Sequence, residues 1–232
     1  MNIDTSFNVY SDTPKGKDPD SYSPTLRNYH KILWNKKLPN GLLFELDDTI
    51  PMRLHHKSEL GEFVLSSDSI AHTYSNTKST TDIIRKINSD ELKKFVSLCS
   101  TIGGYIIFPS ERINNQMTIN GSRGVNKNIR DRFDLTLECI RRYYNKENSP
   151  LNETLERYKK FFKLFDSFHG YVDFFLLQDL VTNDYSSIRY FIPFESFENY
   201  PLPNGIEEYK QYKYNLSNFV LARSQRIENL YK

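Results

Sequence analysis

Cysteine is close to absent from this chain, with two residues in 232, Cys99 and Cys139. Neither has a neighbour at metal-ligand or redox spacing and each falls in an apolar helical pattern, so both are expected as buried, reduced thiols of a cytoplasmic protein. Long apolar runs are missing too. Nowhere do eighteen apolar residues follow one another, which excludes a membrane-spanning helix. The first twenty residues carry no basic stretch leading into an apolar one, so no secretory signal is expected. A dominant charge is also lacking: 31 Lys and Arg against 29 Asp and Glu leave a net +2. No whole-chain field draws such a protein to nucleic acid, and contact with a polyanion has to come from a local patch. Repeats, heptad runs and low-complexity tracts are missing. The five histidines, His30, His55, His56, His72 and His169, show no H-E-x-x-H or comparable spacing, so no metal site is expected, and the sequence leaves any cofactor unknown. Without G-x-S-x-G, His72 near Asp68 in "SSDSIAHTY" reads as structural rather than as part of a serine triad.

What is present is a large aromatic complement, 16 Tyr and 16 Phe, enough to build much of the core of one domain spanning 1–232. Prolines and turn formers in "SDTPKGKDPDSYSPT" predict an extended N-terminal arm over 1–24. Apolar spacing then predicts a helix over 25–35, strands in "GLLFEL", "EFVLSSDSIAHTY", "GYIIFP" and "SSIRYFIPF", and helices near 80–102 and from 128 onward. Ser149 and Pro150 mark a further helix start, and a long helix begins after Gly205. The expected class is α+β, a single domain with an irregular β-rich N-terminal half packed on a mostly helical C-terminal half.

Four strings, "YSDTPKGKDPDSYSPTLRNYHKILW", "IGGYIIFPS", "TINGSRGVNKNIRDRFDLTLECIRRYY" and "GYVDFFLLQDLV", resemble a bacterial family of unknown function over nearly the whole chain. That resemblance implies a bacterial, single-domain protein and carries no catalytic residue with it.

Chemistry is therefore sought in "TINGSRGVNKNIRDRFD", residues 118–134. Gly121 and Gly124 permit close backbone approach, and a helix beginning near 128 aims free N–H groups back at them. Arg123, Lys127, Arg130 and Arg132 crowd that start against the helix dipole, an arrangement that a bound anion relieves. Asp131 and Asp134 relieve it equally well, and then the stretch is only a self-neutralised helix start. Arg130, Asp134, Glu138 and Arg141 recur at intervals of four, four and three, so they share one helix face. If that face lines a pocket, Asp134 and Glu138 are the candidate acid/base pair. If it faces water, it is a salt-bridge ladder.

The leading expectation is an enzyme or effector, of toxin or phage-defence type, acting on a phosphate-bearing ligand, a nucleotide or nucleic acid. The alternative is a non-catalytic module that binds a protein partner. A lesser one rests on Arg53, His55, His56 and "LSSDS", whose order resembles the first strands of ADP-ribosyltransferases, NAD-using enzymes. The enzyme reading requires Arg123, Arg130 and Glu138 to converge on one pocket.

Overall fold

The computed structural model describes residues 3–231. Its N-terminal segment is not an extended arm. Ile3 and Val9 are buried, a 3-10 turn forms at Val9–Ser11, and the Val9 amide donates to the Ser100 carbonyl at 3.0 Å. A one-turn helix, α1 (Pro19–Tyr22), follows, its first turn capped by the Asp18 carboxylate. Met1, Asn2 and Lys232, the last read from sequence as part of a basic C-terminal turn, lie outside the described residues. Helix α2 (Pro24–Trp34) starts where Ser23 accepts from the Leu26 amide at 3.1 Å, with Pro24 at the first helical position. Its stripe of Leu26, Tyr29, His30, Leu33 and Trp34 is buried.

Two short strands, β1 (Lys36–Lys37) and β2 (Leu43–Phe44), pair as a hairpin. The main sheet is antiparallel and is built from β3 (Leu54–Ser58), β4 (Gly61–Ser69) and, after helices α3 (Thr81–Ile84) and α4 (Ser89–Cys99), β5 (Tyr105–Pro109). β4 is central, with Asp68 opposite Ile106. The expected strand in "EFVLSSDSIAHTY" thus ends at Ser69, and the chain leaves the sheet before His72.

The largest departure from the sequence reading comes after β5. Residues Ile119–Val125 are themselves a helix, α5, capped by the Thr118 hydroxyl, so Gly121 and Gly124 sit inside a helix rather than in an anion-binding loop. Helix α6 (Phe133–Tyr144) begins five residues later than the expected start at 128. In between, Arg130 (φ 48°) and Asp131 (φ 62°) occupy the left-handed region in succession, a conformation that costs non-glycine residues on the order of 1 kcal/mol or more each. Tertiary bonds hold the turn: Tyr74 Oη donates to the Arg130 carbonyl at 2.7 Å, and the Asp131 amide to the Arg123 carbonyl at 3.2 Å. Every residue of α6 from Phe133 to Ile140 is buried, so the helix runs through the core. Arg130 stands before it, and the solvent ladder of Arg130, Asp134, Glu138 and Arg141 does not form.

Helices α7 (Asn152–Arg157), α8 (Lys159–Lys163) and α9 (Phe168–Phe174) follow; the start marked by Ser149 falls at Asn152, and the expected single helix breaks at Tyr158. "SSIRYFIPF" contributes one bridge, Val181 to Ile188, instead of a strand. The final helix, α10 (Ile206–Leu230), lies where it was expected. Arg223 on α10 is fully buried and donates to the carbonyls of Gly103, Tyr105 and Phe175 at 2.7–3.2 Å, covering backbone acceptors at the start of β5. Gly103 lets α10 come this close, because a Cβ there would stand 2.8 Å from the Val220 carbonyl oxygen. Trp34, Phe161, Phe165, Phe174 and Phe175 pack together in the core, which places strands mostly in the N-terminal half and helices mostly in the C-terminal half of one α+β fold.

Candidate functional site

The arginines expected to bind an anion divide into two kinds. Arg123 is fully buried, and its guanidinium donates to Asp68 Oδ2 (2.8 Å), the Ser69 carbonyl (3.1 Å), the Asp131 carbonyl (2.9 Å) and Thr136 Oγ1 (3.3 Å). It is a strut tying β4, the 130–131 turn and α6 together. Arg132 is buried against Asp134, donating from Nε at 3.1 Å, and also reaches the Pro201 carbonyl (2.7 Å) and the Ile192 carbonyl (3.3 Å). Neither guanidinium has a face left for a ligand. Arg130 and Lys127 are exposed, and among the described residues neither side chain makes an ion pair.

The two expected acid/base groups are internal. Asp134 takes both Arg132 and the Phe191 amide (2.9 Å), while Glu138 is chelated by Arg141 (2.9 and 3.0 Å) and Arg142 (2.6 Å). Arg123, Arg130 and Glu138 therefore do not converge. Arg53, His55 and His56 line neither of the two large cavities: His55 bonds Glu62 across the β3–β4 hairpin and Asp47 on the segment before it, and His56 is buried against the Glu45 carbonyl.

Those two cavities adjoin, sharing His72 and Asp131 in their walls. The first, of 610 Å³, lies between the N-terminal segment, the end of β4, the C-terminus of α4 and the start of β5. Its charged lining is wholly acidic: Asp18 and Asp20 from the N-terminal segment, Asp68 from β4, and Asp131 from the left-handed turn. The second, of 630 Å³, is lined by Lys78, Arg130, Tyr74, Tyr200, Leu202, Thr77, Ser79 and Gly124. Among the lining side chains the cations thus stand on one side of His72 and Asp131 and the carboxylates on the other, with the buried Arg123 paired behind Asp68 and Asp131.

Burial sets the proton affinities on the acidic side. Asp20 is pushed up to about 8 by desolvation, then by the negative charges of Asp68 and Asp18. Its Oδ1 is buried without a hydrogen-bond partner. Asp68 is raised to about 6 by desolvation, with Asp131 adding to the rise and Arg123 opposing it. His72 is lowered to about 4 by desolvation and by Arg123; its Nε2 lies 4.0 Å from Asp131 Oδ2. Burial thus holds Asp20 well above the ordinary carboxyl range and His72 below the ordinary imidazole range, while Arg123 limits the rise at Asp68. Among the described residues no group of three or more His, Cys, Asp or Glu side chains is placed to hold a metal ion, and no helix is long and apolar enough to cross a membrane.

Sequence reasoning named His72 and Asp68 only to set them aside, and missed Asp18, Asp20, Lys78 and Tyr200. A signal for Asp68 was present: a lone charge inside a strand pattern, "FVLSSDS", whose Phe63, Leu65 and Ser67 face the core. Asp18 and Asp20 carried none, sitting in a polar stretch that resembles solvent-exposed chain.

Residues 3–227 match the model of a family of unknown function, DUF6994, and the chain belongs to it. No curated protein and no solved structure matches the chain. Three of the strings that carried the resemblance meet at the acidic cavity, supplying Asp18 and Asp20, Tyr105, and Asn120 and Asp131.

Proposed function

We propose that the chain is an enzyme performing proton-transfer chemistry on a phosphate-bearing ligand that lies across the two cavities. The observation that carries this reading is the polarity of the pair: Lys78 and Arg130 on one side, Asp20 and Asp68 on the other, with His72 and Asp131 between. An anionic group is attracted to the basic side and repelled by the acidic one, so a ligand with one phosphate has a single favourable orientation. Its uncharged remainder then meets Asp20, which holds a proton to give, and Asp68 and His72, which can take one. The strained Arg130–Asp131 turn supports the assignment, since it sends Arg130 to the basic cavity and brings Asp131 to the boundary.

In this reading Arg130 keeps its anion-binding role, Lys78 joins it in place of Lys127, Arg123 and Arg132 hold the frame, and Asp20, Asp68 and His72 take the acid/base roles that sequence spacing gave to Asp134 and Glu138. The test is a panel of phosphate monoesters and diesters assayed for turnover and for thermal stabilisation. Arg130→Ala and Lys78→Ala raise KM with little change in kcat, while His72→Ala and Asp20→Asn lower kcat. If no phosphate compound is turned over or stabilises the protein, or if Arg130→Ala responds like the parent, the reading fails.

The alternative, a non-catalytic interaction module, has one observation in its favour. Tyr214 and Leu221 are exposed seven residues apart on α10, on one stripe of the helix. Capture of a protein partner that Tyr214→Ser with Leu221→Ser abolishes, with no effect of the cavity variants, would establish it instead.

A further inference from the structure

We infer that the phosphate-bearing ligand is a single nucleotide, its base lying on the Tyr200 ring and its phosphate between Lys78 and Arg130. This rests on the preceding reading and specifies its substrate. Tyr200 is 56% exposed although it lines a cavity, and among the described residues no other ring packs on it. An aromatic face left open beside two cations suits a flat ring bearing a phosphate.

The backbone next to the ring is also fastened. Arg132 donates to the carbonyl of Pro201, the next residue, and to that of Ile192, and Leu202 is buried. A backbone fixed in this way has little conformational freedom to lose when a base settles on the ring it carries. Thr77 and Ser79, in the same wall, offer hydroxyls to a base edge, and 630 Å³ lies within the roughly 300–1,000 Å³ of pockets that enclose organic ligands and far above what a bare phosphate fills.

Charge decides between one nucleotide and a strand. A polynucleotide needs cations along its backbone, and this cleft provides two, after which the wall turns to Asp131, Asp68, Asp20 and Asp18. A second phosphate on that side meets carboxylates in the lining and no cation except the buried Arg123, which is already taken up by Asp68 and Asp131. With base and phosphate so placed in the second cavity, the sugar is the part of the ligand that passes His72 and Asp131 to face Asp20 and Asp68.

The experiment compares calorimetric binding of AMP, GMP, CMP and UMP with that of ribose 5-phosphate, inorganic phosphate and a ten-nucleotide oligo(dT), on the full chain. At least one nucleotide should bind about tenfold or more tighter than ribose 5-phosphate, the gain expected of one base–aromatic stack. Tyr200→Ala should bring that nucleotide down to the ribose 5-phosphate level and leave ribose 5-phosphate itself unmoved. Tyr200→Phe should restore the difference, and Arg130→Ala should weaken both ligands. Ribose 5-phosphate binding as tightly as every nucleotide, or a nucleotide preference that survives Tyr200→Ala, overturns the inference while leaving the proposed function standing. Oligo(dT) binding tighter than any mononucleotide, with steep salt dependence, overturns it in favour of a strand. Binding of none of these ligands overturns both readings.

Discussion

Arg130 and Asp131, and Arg132 and Asp134, are two Arg–Asp sets within five residues, and they have opposite fates. The second is folded inward, with Arg132 and Asp134 meeting each other and three backbone groups in a site that excludes water. The first is turned outward by two left-handed residues, so that Arg130 lines the basic cavity and Asp131 the boundary. The difference lies in the number of internal partners each group finds. A guanidinium that meets fixed acceptors on every edge is part of the frame, and one that meets none is free to recruit a ligand.

The sharpest way to break that contrast is Arg132→Ala. It leaves Asp134 as an uncompensated buried charge and should cost about 3–5 kcal/mol, read by urea denaturation. Replacing the pair together, Arg132→Met with Asp134→Leu, removes the unpaired charge and should recover part of that loss, the rest persisting because the Pro201 and Ile192 carbonyls and the Phe191 amide lose their partners. A single substitution costing under about 1 kcal/mol would show that the inward pair is not part of the frame.

Asp20 tests the outward side through pH. Its carboxyl sits near 8 in the folded protein against an ordinary value of 3.8, so between those values the folded state holds a proton that the unfolded state has lost. Stability therefore falls as pH rises through that window. Asp20→Asn removes the dependence. Its advantage over the parent should be small at pH 4 and reach about 2 kcal/mol at pH 8, an order-of-magnitude figure for a group that retains some contact with solvent. A difference that stays constant with pH would mean that Asp20 is not held protonated.

Gly124→Ala separates frame from site. A Cβ there stands 3.2 Å from Asp131 Oδ2, while alanine improves helix propensity by roughly 1 kcal/mol. Stability should change by less than about 1 kcal/mol, and turnover should drop because Asp131 is displaced. Unchanged turnover would show that the position of Asp131 at the boundary of the two cavities does not matter to the ligand. The smallest expected effect on stability is at Arg130 itself. Arg130→Gly relieves a φ of 48° and should stabilise by about 0.5–1 kcal/mol while weakening phosphate binding, measured by thermal shift with and without ligand. Destabilisation would place Arg130 among the struts.

These contrasts also explain what could be read from the sequence. The strand "GYIIFP", the α2 stripe and the start of α10 were legible because each is specified locally, by an apolar run, a cap or a periodic face. The turn at 130–131 was not. Its left-handed residues are held by Tyr74 and by the Arg123 carbonyl, contacts that exist only once β4, α5 and α6 have come together. Displacing the start of α6 by five residues took Arg130 off the helix, and the face that the spacing suggested forms only for Asp134, Glu138 and Arg141, with both carboxylates turned inward. The site was legible in part: Arg130 was named, and His72 and Asp68 were noticed. Asp18 and Asp20 join them only because the N-terminal segment, which reads as solvent-exposed chain, is bonded into the body at Ser100.

Arg223 carries a consequence for synthesis of the chain. It lies 118 residues after Tyr105, whose carbonyl it covers. At ribosomal rates of about 5–20 residues per second, the start of β5 waits on the order of ten seconds for that cover. For that interval a wholly apolar strand has open backbone acceptors, the condition under which nascent chains stick to one another. Arg223→Leu should therefore lower soluble yield as well as melting temperature, because the acceptors that every nascent chain leaves open for those seconds then stay open after synthesis has ended.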